Sequence, residues 1–180
     1  MPKLRAKELR KSKPSSKDLK KIKRNPIFLI LDEIIDTYNI GSLFRLADAI
    51  AAEKMYLCGK MEYPPSSRIH KAAVGTEGWV SWEKSTSCLK VVKELKKKGI
   101  QIIAVEQHIR SINYNQLVSE NVKFPVAVVV GNETGGVNPK VLKEADIIVE
   151  LPMFGVNKSF NVWGSAAVVA YKLLERFPIS

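Results

Sequence analysis

Read for the spacing of its apolar positions, the chain switches repeatedly between two periods. Residues 27–31, 54–58, 100–105, 124–130 and 146–151 are short, mostly apolar runs, the first of them β-branched, and they predict strands of a parallel sheet. A further strand is expected over residues 79–82. Between the runs, apolar residues recur at helical spacing. Residues 38–51 place Ile40, Leu43, Phe44, Ala47, Ile50 and Ala51 on one stripe, with Asn39 as the expected N-cap. Residues 87–98 turn Leu89, Val92 and Leu95 inward and lysines outward, and Gly99 stops that helix. Asn138-Pro139 opens a short helix through Ala145. Ser159 or Asn161 caps a closing helix whose Gly164, Ala166, Ala167 and Ala170 permit close packing against another helix. Strands alternating with helices predict an α/β domain with a mostly parallel sheet and right-handed crossovers.

Charge changes this picture at one end only. The 180-residue chain has a net charge of +11, but residues 1–24 hold eleven basic and two acidic side chains. The arm is therefore +9 and residues 25–180 are +2, close to neutral. An arm of this kind suits RNA phosphates, with a steep dependence on salt; a solvated tail or a targeting presequence is the alternative. Two short helices are possible within it, separated by Pro14-Ser15-Ser16. The division expected is a basic arm over 1–24 and one domain over 25–180. Cys58 and Cys88 are too few and too far apart for a disulfide framework or a zinc site, and His70 and His108 stand alone, so no metal is expected. The apolar runs 126–130 and 166–171 are far short of a membrane span. With no apolar segment of the secretory kind near the amino end, the expectation is a soluble cytoplasmic protein, organellar targeting by the basic segment being the alternative.

Three stretches carry candidate chemistry. In the first, Arg45 follows Gly41 by one helical turn and leans back over it, beside the unpaired N–H groups of the first turn. That arrangement suits a phosphate or ribose, or is a capped surface helix with a solvated arginine. In the second, the apolar run ending at Val130 enters Gly131-Asn132-Glu133-Thr134-Gly135-Gly136-Val137-Asn138-Pro139. A Gly-rich loop at the carboxyl end of a parallel strand is where nucleotide-like ligands sit in open sheets. It is not a P-loop, because Val137 and Asn138 stand where Lys and Ser/Thr would be needed. The third stretch, Glu150 to Val162, links the last strand to the last helix. Trp79 and Trp82 could stack bases, although core packing is the commoner fate of such residues. No Gly-x-Ser-x-Gly elbow, Cys/His pair or carboxylate pair is present, so covalent and hydrolytic chemistries have little support.

Taken in order, Asn39-x-Gly41-x-x-x-Arg45, Gly131-x-Glu133-x-x-Gly136 and Leu151-Pro152-Met153 through Ser159-Phe160-Asn161-Val162 resemble the three motifs of the SPOUT superfamily, in its SpoU branch of RNA 2′-O-ribose methyltransferases. The resemblance covers residues 26 to 176, and Lys71 to Gly75 with Trp79-Val80 resembles the family's linker after the second strand. It implies helices on both faces of the sheet and a carboxyl-terminal deep trefoil knot. S-adenosylmethionine would sit in that knot against Val105, Gly131, Leu151, Met153, Phe160 and Val162. Arg45 would serve the ribose 2′-hydroxyl, with Asn39, Glu133, Ser159 and Asn161 as the polar residues that position it, the loop and the substrate. The implied partners are RNA, tRNA before rRNA, and a second copy of the chain in a homodimer whose first and last helices meet. An alternative is a non-catalytic RNA-binding protein that retains the fold. Phe160 and Trp163 depart from the family's commoner leucine and serine.

Overall fold

The computed structural model describes residues 14–175. Its strands are β1 (Asn25–Asp32), β2 (Ala52–Cys58), β3 (Trp82–Ser85), β4 (Gln101–Val105), β5 (Ile112–Asn113), β6 (Val126–Gly131) and β7 (Ile147–Glu150). They form one seven-stranded sheet in the order β3-β2-β1-β6-β4-β7-β5, and every pairing is parallel. The helices are α1 (Ser16–Leu19), α2 (Thr37–Ala49), α3 (Ser67–Ala73), α4 (Cys88–Lys97), α5 (Pro139–Glu144) and α6 (Val162–Leu174).

Why the central strands are apolar throughout follows from where the helices lie. Leu29 and Leu31 of β1 and Val128 and Val130 of β6 pack with α2 and α6 through Leu43, Phe44, Ala47, Val169 and Leu173. The alternate residues Ile30, Ala127 and Val129 face the other way, onto Val92 and Leu95 of α4 and Val141 of α5. Successive side chains of a strand point to opposite faces, so a strand covered on both sides has no position left for a polar residue. The pairing register brings Asp32 beside Gly131, Val130 beside Val105, and Val105 beside Val149. The carboxyl ends of β1, β6, β4 and β7 therefore lie side by side, which gives the crevice where ligands bind in sheets of this kind.

Several expectations need correction. The cap of α2 is Asp36, whose carboxylate accepts from the Tyr38 N–H at 2.8 Å; Asn39 lies inside the first turn and is buried. A capping side chain must precede the helix, and Asn39 turns inward to a different task. Gly41 is not an open patch beneath Arg45: a Cβ there would stand 2.5 Å from the Ala72 Cβ and 2.7 Å from the Ala73 nitrogen. Its missing side chain lets α3 cross α2 at close range. The helix α3 is not among the elements expected from the sequence, because seven residues carry too short a stripe to register. The expected strand over 79–82 starts only at Trp82; Trp79 ends a single 3-10 turn and donates its Nε1–H to Asp48 at 2.7 Å. Both tryptophans pack at the edge of the core, where Trp82 meets Phe44 edge-to-face. In α4 the buried side chains are Cys88, Val91, Val92 and Leu95, with Leu89 only partly covered. Of the two helices possible in the basic arm, α1 lies beyond Pro14 with Ser15 as its cap; the other falls outside the described residues.

Candidate active site

A cavity of about 440 Å³ opens at the carboxyl ends of β4, β6 and β7. Its walls come from three places in the sequence. The end of β4 contributes Val105, Glu106 and Gln107; the loop after β6 contributes Gly131 to Thr134 and Gly136; the segment after β7 contributes Leu151, Met153, Ser159, Phe160, Asn161 and Val162. All six residues expected to hold a cofactor line it, namely Val105, Gly131, Leu151, Met153, Phe160 and Val162. Glu133, Ser159 and Asn161 line it as well. Asn39 and Arg45 do not.

Each wall is set by local chemistry. The loop after β6 turns back on itself through a bridge in which the Asn132 N–H donates to the Gly136 carbonyl at 3.1 Å and the Gly136 N–H returns to Asn132 at 2.8 Å. The Asn132 side chain accepts from the Thr134 and Gly135 N–H groups and donates to the Glu33 carbonyl, each at 2.9 Å. Gly131 sits beneath this turn, and a Cβ there would overlap the backbone of Gly136 and Val137. Only glycine leaves the loop room to close. Glu106 pins the same loop from the other side, accepting from the Val137 N–H at 2.8 Å. Gln107 reaches across to the carboxyl-terminal segment and donates to the Lys158 carbonyl at 2.6 Å. Phe160 is 56% exposed and folds over Gly164 at the start of α6.

One chain of side-chain hydrogen bonds joins the three motif segments. Glu133 accepts from the Ile35 N–H at 2.9 Å, from the Asp36 N–H at 3.0 Å and from Asn39 Nδ2 at 2.9 Å. Asn39 in turn accepts from Asn161 Nδ2 at 3.1 Å, and the other end of Asn161 caps α6 by accepting from the Trp163 N–H at 3.0 Å. The loop after β6, the first turn of α2 and the first turn of α6 are thus tied in series. Loss of solvent works against the Glu133 carboxylate, but the donors from Asn39, Ile35 and Asp36 outweigh it and hold its pKa below the usual range. An ionised Glu133 at the solvent-exposed rim is the expected state at neutral pH.

The electrostatics of the cavity select a class of ligand. Glu106, Glu133 and Glu150 are among its lining residues, and no Lys, Arg or His is. A nucleotide phosphate would meet carboxylates with no cation to offset them, whereas a ligand with positive charge and an apolar ring would be welcome. Leu151, Phe160 and Val162 supply the apolar wall, and the volume falls in the range of small-ligand sites. Arg45 is exposed and its side chain has no hydrogen-bond or ion-pair partner among the described residues. No group of three or more His, Cys, Asp or Glu suited to a metal occurs among those residues, and no helix there is long and apolar enough to cross a membrane. The two cysteines are free and buried; a hydrogen bond to Cys58 and burial both favour the Cys88 thiol over its thiolate and push its pKa up.

Sequence reasoning missed Glu106, Gln107 and Asn132. Glu106 and Gln107 directly follow Val105, and polar residues just past a buried strand carry the same signal that pointed to the Gly-rich loop. Asn132 stood inside that loop and read as a turn residue.

Residues 26–171 match the family described as SpoU rRNA Methylase. A 23S rRNA (guanosine-2′-O-)-methyltransferase of Neisseria meningitidis is 31% identical over 84% of this chain and 59% of its own length. A tRNA (guanosine(18)-2′-O)-methyltransferase of Borreliella burgdorferi is 25% identical over 86% of this chain and 69% of its own. Among solved structures, an AdoMet-bound rRNA methyltransferase from Sinorhizobium meliloti superposes with a TM-score of 0.79 at 21% identity, over 87% of this chain and 59% of that one. The chain spans about three fifths of the length of the first curated relatives it matches.

Proposed function

The chain belongs to the SpoU rRNA methylase family, and from that premise we propose that it transfers a methyl group from S-adenosylmethionine to a ribose 2′-hydroxyl of structured RNA, with tRNA the first candidate and rRNA the second. The observation that carries the proposal is the hydrogen-bonded series Glu133–Asn39–Asn161, which holds three separate motif segments around one carboxylate-lined cavity. S-adenosylmethionine, when bound, supplies an electrophilic methyl group on a cationic sulfur. A cavity without cations and with three glutamates fits that charge, and Leu151, Phe160 and Val162 offer the adenine an apolar slot. Gly131, Met153 and Val105 close the remaining walls.

The protein's own groups have two tasks. The first is binding and exclusion of water, which falls to the cavity walls and to the Gln107–Lys158 tie across them. The second is orientation of the hydroxyl so that its oxygen lies in line with the methyl carbon. We assign that to Arg45. A guanidinium stays protonated and is a poor base, but it donates up to five hydrogen bonds and fixes the adjoining phosphate and the hydroxyl together. The hydroxyl proton then leaves by way of the RNA phosphate to solvent. Ser159 and Asn161 hold the substrate side of the cavity, and Asn39 and Glu133 keep Asn161 in place.

Arg45 is not in the wall of its own chain's cavity, which supports a site completed by a second copy. In this reading the homodimer forms through the first turns of α2 and α6, where Ile35, Tyr38, Phe160 and Trp163 are exposed apolar residues. Ala166 and Ala170, by contrast, are spent on the chain's own core. The segment between β7 and α6 forms part of a trefoil knot, residues 1–24 act as a separate basic arm on RNA, and the enzyme works in the cytoplasm. The test is incubation with labelled S-adenosylmethionine and total tRNA and rRNA, followed by mapping of methylated riboses. Transfer to a 2′-oxygen in either pool supports the proposal; no transfer to any RNA, with the cofactor bound, favours the non-catalytic RNA-binding alternative.

A further inference from the structure

Exposed basic residues on two parts of the domain have different surroundings. On α4 three lysines are paired, Lys90 with Glu94 at 3.9 Å, Lys93 with Glu144 at 3.6 Å and Lys96 with Asp146 at 2.9 Å, and Lys97 is exposed without an ion pair among the described residues. On the segment from Gly59 through α3 the exposed cations have no such partners. Lys60, Arg68 and Lys71 are all exposed, and none has an ion-pair partner among the described residues. Lys84 on the neighbouring β3 stands 4.1 Å above the ring of Tyr63, a cation–π contact that leaves its charge facing out. The acids nearby are already engaged: Glu62 takes the hydroxyl of Ser66, Glu77 takes His70, and Glu83 takes Lys54.

The surface is anchored to the candidate active site at two points. Glu33 accepts from the Lys60 N–H at 3.3 Å while its carbonyl accepts from Asn132 of the cavity loop at 2.9 Å. On its other flank α3 is pressed against α2 at Gly41, one turn before Arg45. Four cations without an ion-pair partner among the described residues therefore lie on segments tied to α2 at Gly41 and, through Glu33, to the cavity loop. Unpaired exposed cations gain little from folding, but each gains counterion release when a phosphate replaces its ions.

We propose that Lys60, Arg68, Lys71 and Lys84 form a phosphate-binding face that holds the RNA backbone beside the active site, independently of the basic arm. This rests on the RNA-methylating function proposed above. The arm supplies loose, long-range attraction; the face fixes the register of the strand that carries the target ribose, so it acts on substrate position and not on the cofactor.

The experiment compares the full chain with the K60Q/R68Q/K71Q variant and with a control, K90Q/K93Q/K97Q, that removes equal charge from α4. Binding to RNA is measured by anisotropy across a salt series, with S-adenosylmethionine affinity and thermal melting as checks of integrity. Each lost phosphate contact lowers the slope of log K against log salt by about 0.7 to 0.9. The face variant is expected to lose roughly 2 units of slope and to bind RNA at least tenfold more weakly near physiological salt. Its KM for RNA should rise with kcat little changed, and its cofactor affinity should match the parent. The control should retain most of its slope. Equal losses in the two variants would reduce the effect to net charge and overturn the face; an unchanged slope in the face variant, with the parent binding and methylating RNA, would overturn the face and leave the proposed function standing. If the parent neither binds nor methylates RNA, both fall together. Should K60Q/R68Q/K71Q melt early, the single variant Arg68→Gln, expected to lose about one unit of slope, decides the matter.

Discussion

Replacing Asn39 by alanine tests whether the hydrogen-bonded series holds the site together. The side chain is 4% exposed and makes two bonds, donating to Glu133 at 2.9 Å and accepting from Asn161 at 3.1 Å. A bond to a charged acceptor contributes about 1.5–3 kcal/mol and a neutral one about 0.5–1.5 kcal/mol. Glu133 is exposed to solvent and keeps two backbone donors, so the low end of the first range applies. The expected loss is about 2 kcal/mol, or a fall in melting temperature of about 4–8 °C for a chain of this size. The pH dependence separates the two bonds. Because Glu133's pKa is lowered in the folded state, its stabilising contribution is complete above its ordinary value of 4.5 and is lost as pH falls through the lower folded value. Removing Asn39 raises the folded value towards the ordinary one. The gap between the two proteins should therefore be largest near pH 7 and shrink as pH falls below 4.5 and through the lowered folded value, towards the contribution of the bond to Asn161 alone. Thermal melts across a pH series from 7 downwards measure it. A gap below about 1 °C at neutral pH, or one that does not change with pH, would refute the reasoning.

Other consequences can be measured directly. Arg45→Ala should lower kcat at least a hundredfold with S-adenosylmethionine affinity unchanged, and mixing it with an inactive Asn161→Ala variant should restore part of the activity if sites are shared between copies; equal loss of binding and turnover would remove Arg45 from its assigned role. Gly131→Ala should cost about 1–3 kcal/mol and weaken cofactor binding at least tenfold, read by calorimetry, because the added methyl meets main chain at Gly136 and Val137. Deleting residues 1–24 should flatten the salt dependence of RNA binding by several units while leaving cofactor affinity intact; an unchanged slope would make the arm a bystander.

Much of this protein is legible without coordinates. The strands β1, β4, β6 and β7 announce themselves because both of their faces are buried, and a run of apolar side chains has no other economical use. Gly131 and Glu133 were visible as a loop at the end of such a strand, and the concentration of charge in residues 1–24 is a matter of counting. What tertiary structure decided is which polar residues meet. Asn39 read as a cap, since local sequence offers a first-turn asparagine no other partner; in the fold Asp36 caps the helix and Asn39 is free to bridge Glu133 and Asn161, 94 and 122 positions away. Gly41 read as a gap beneath Arg45, and it is filled by Ala72 from a helix too short to show a periodicity. Glu106 carried no motif, yet it pins the loop over Gly131. Backbone patterns depend on neighbours a few residues apart and can be read from the chain. Hydrogen bonds between side chains depend on which strand lies beside which, and that is settled only when β6 inserts between β1 and β4 and brings the ends of distant segments to one rim.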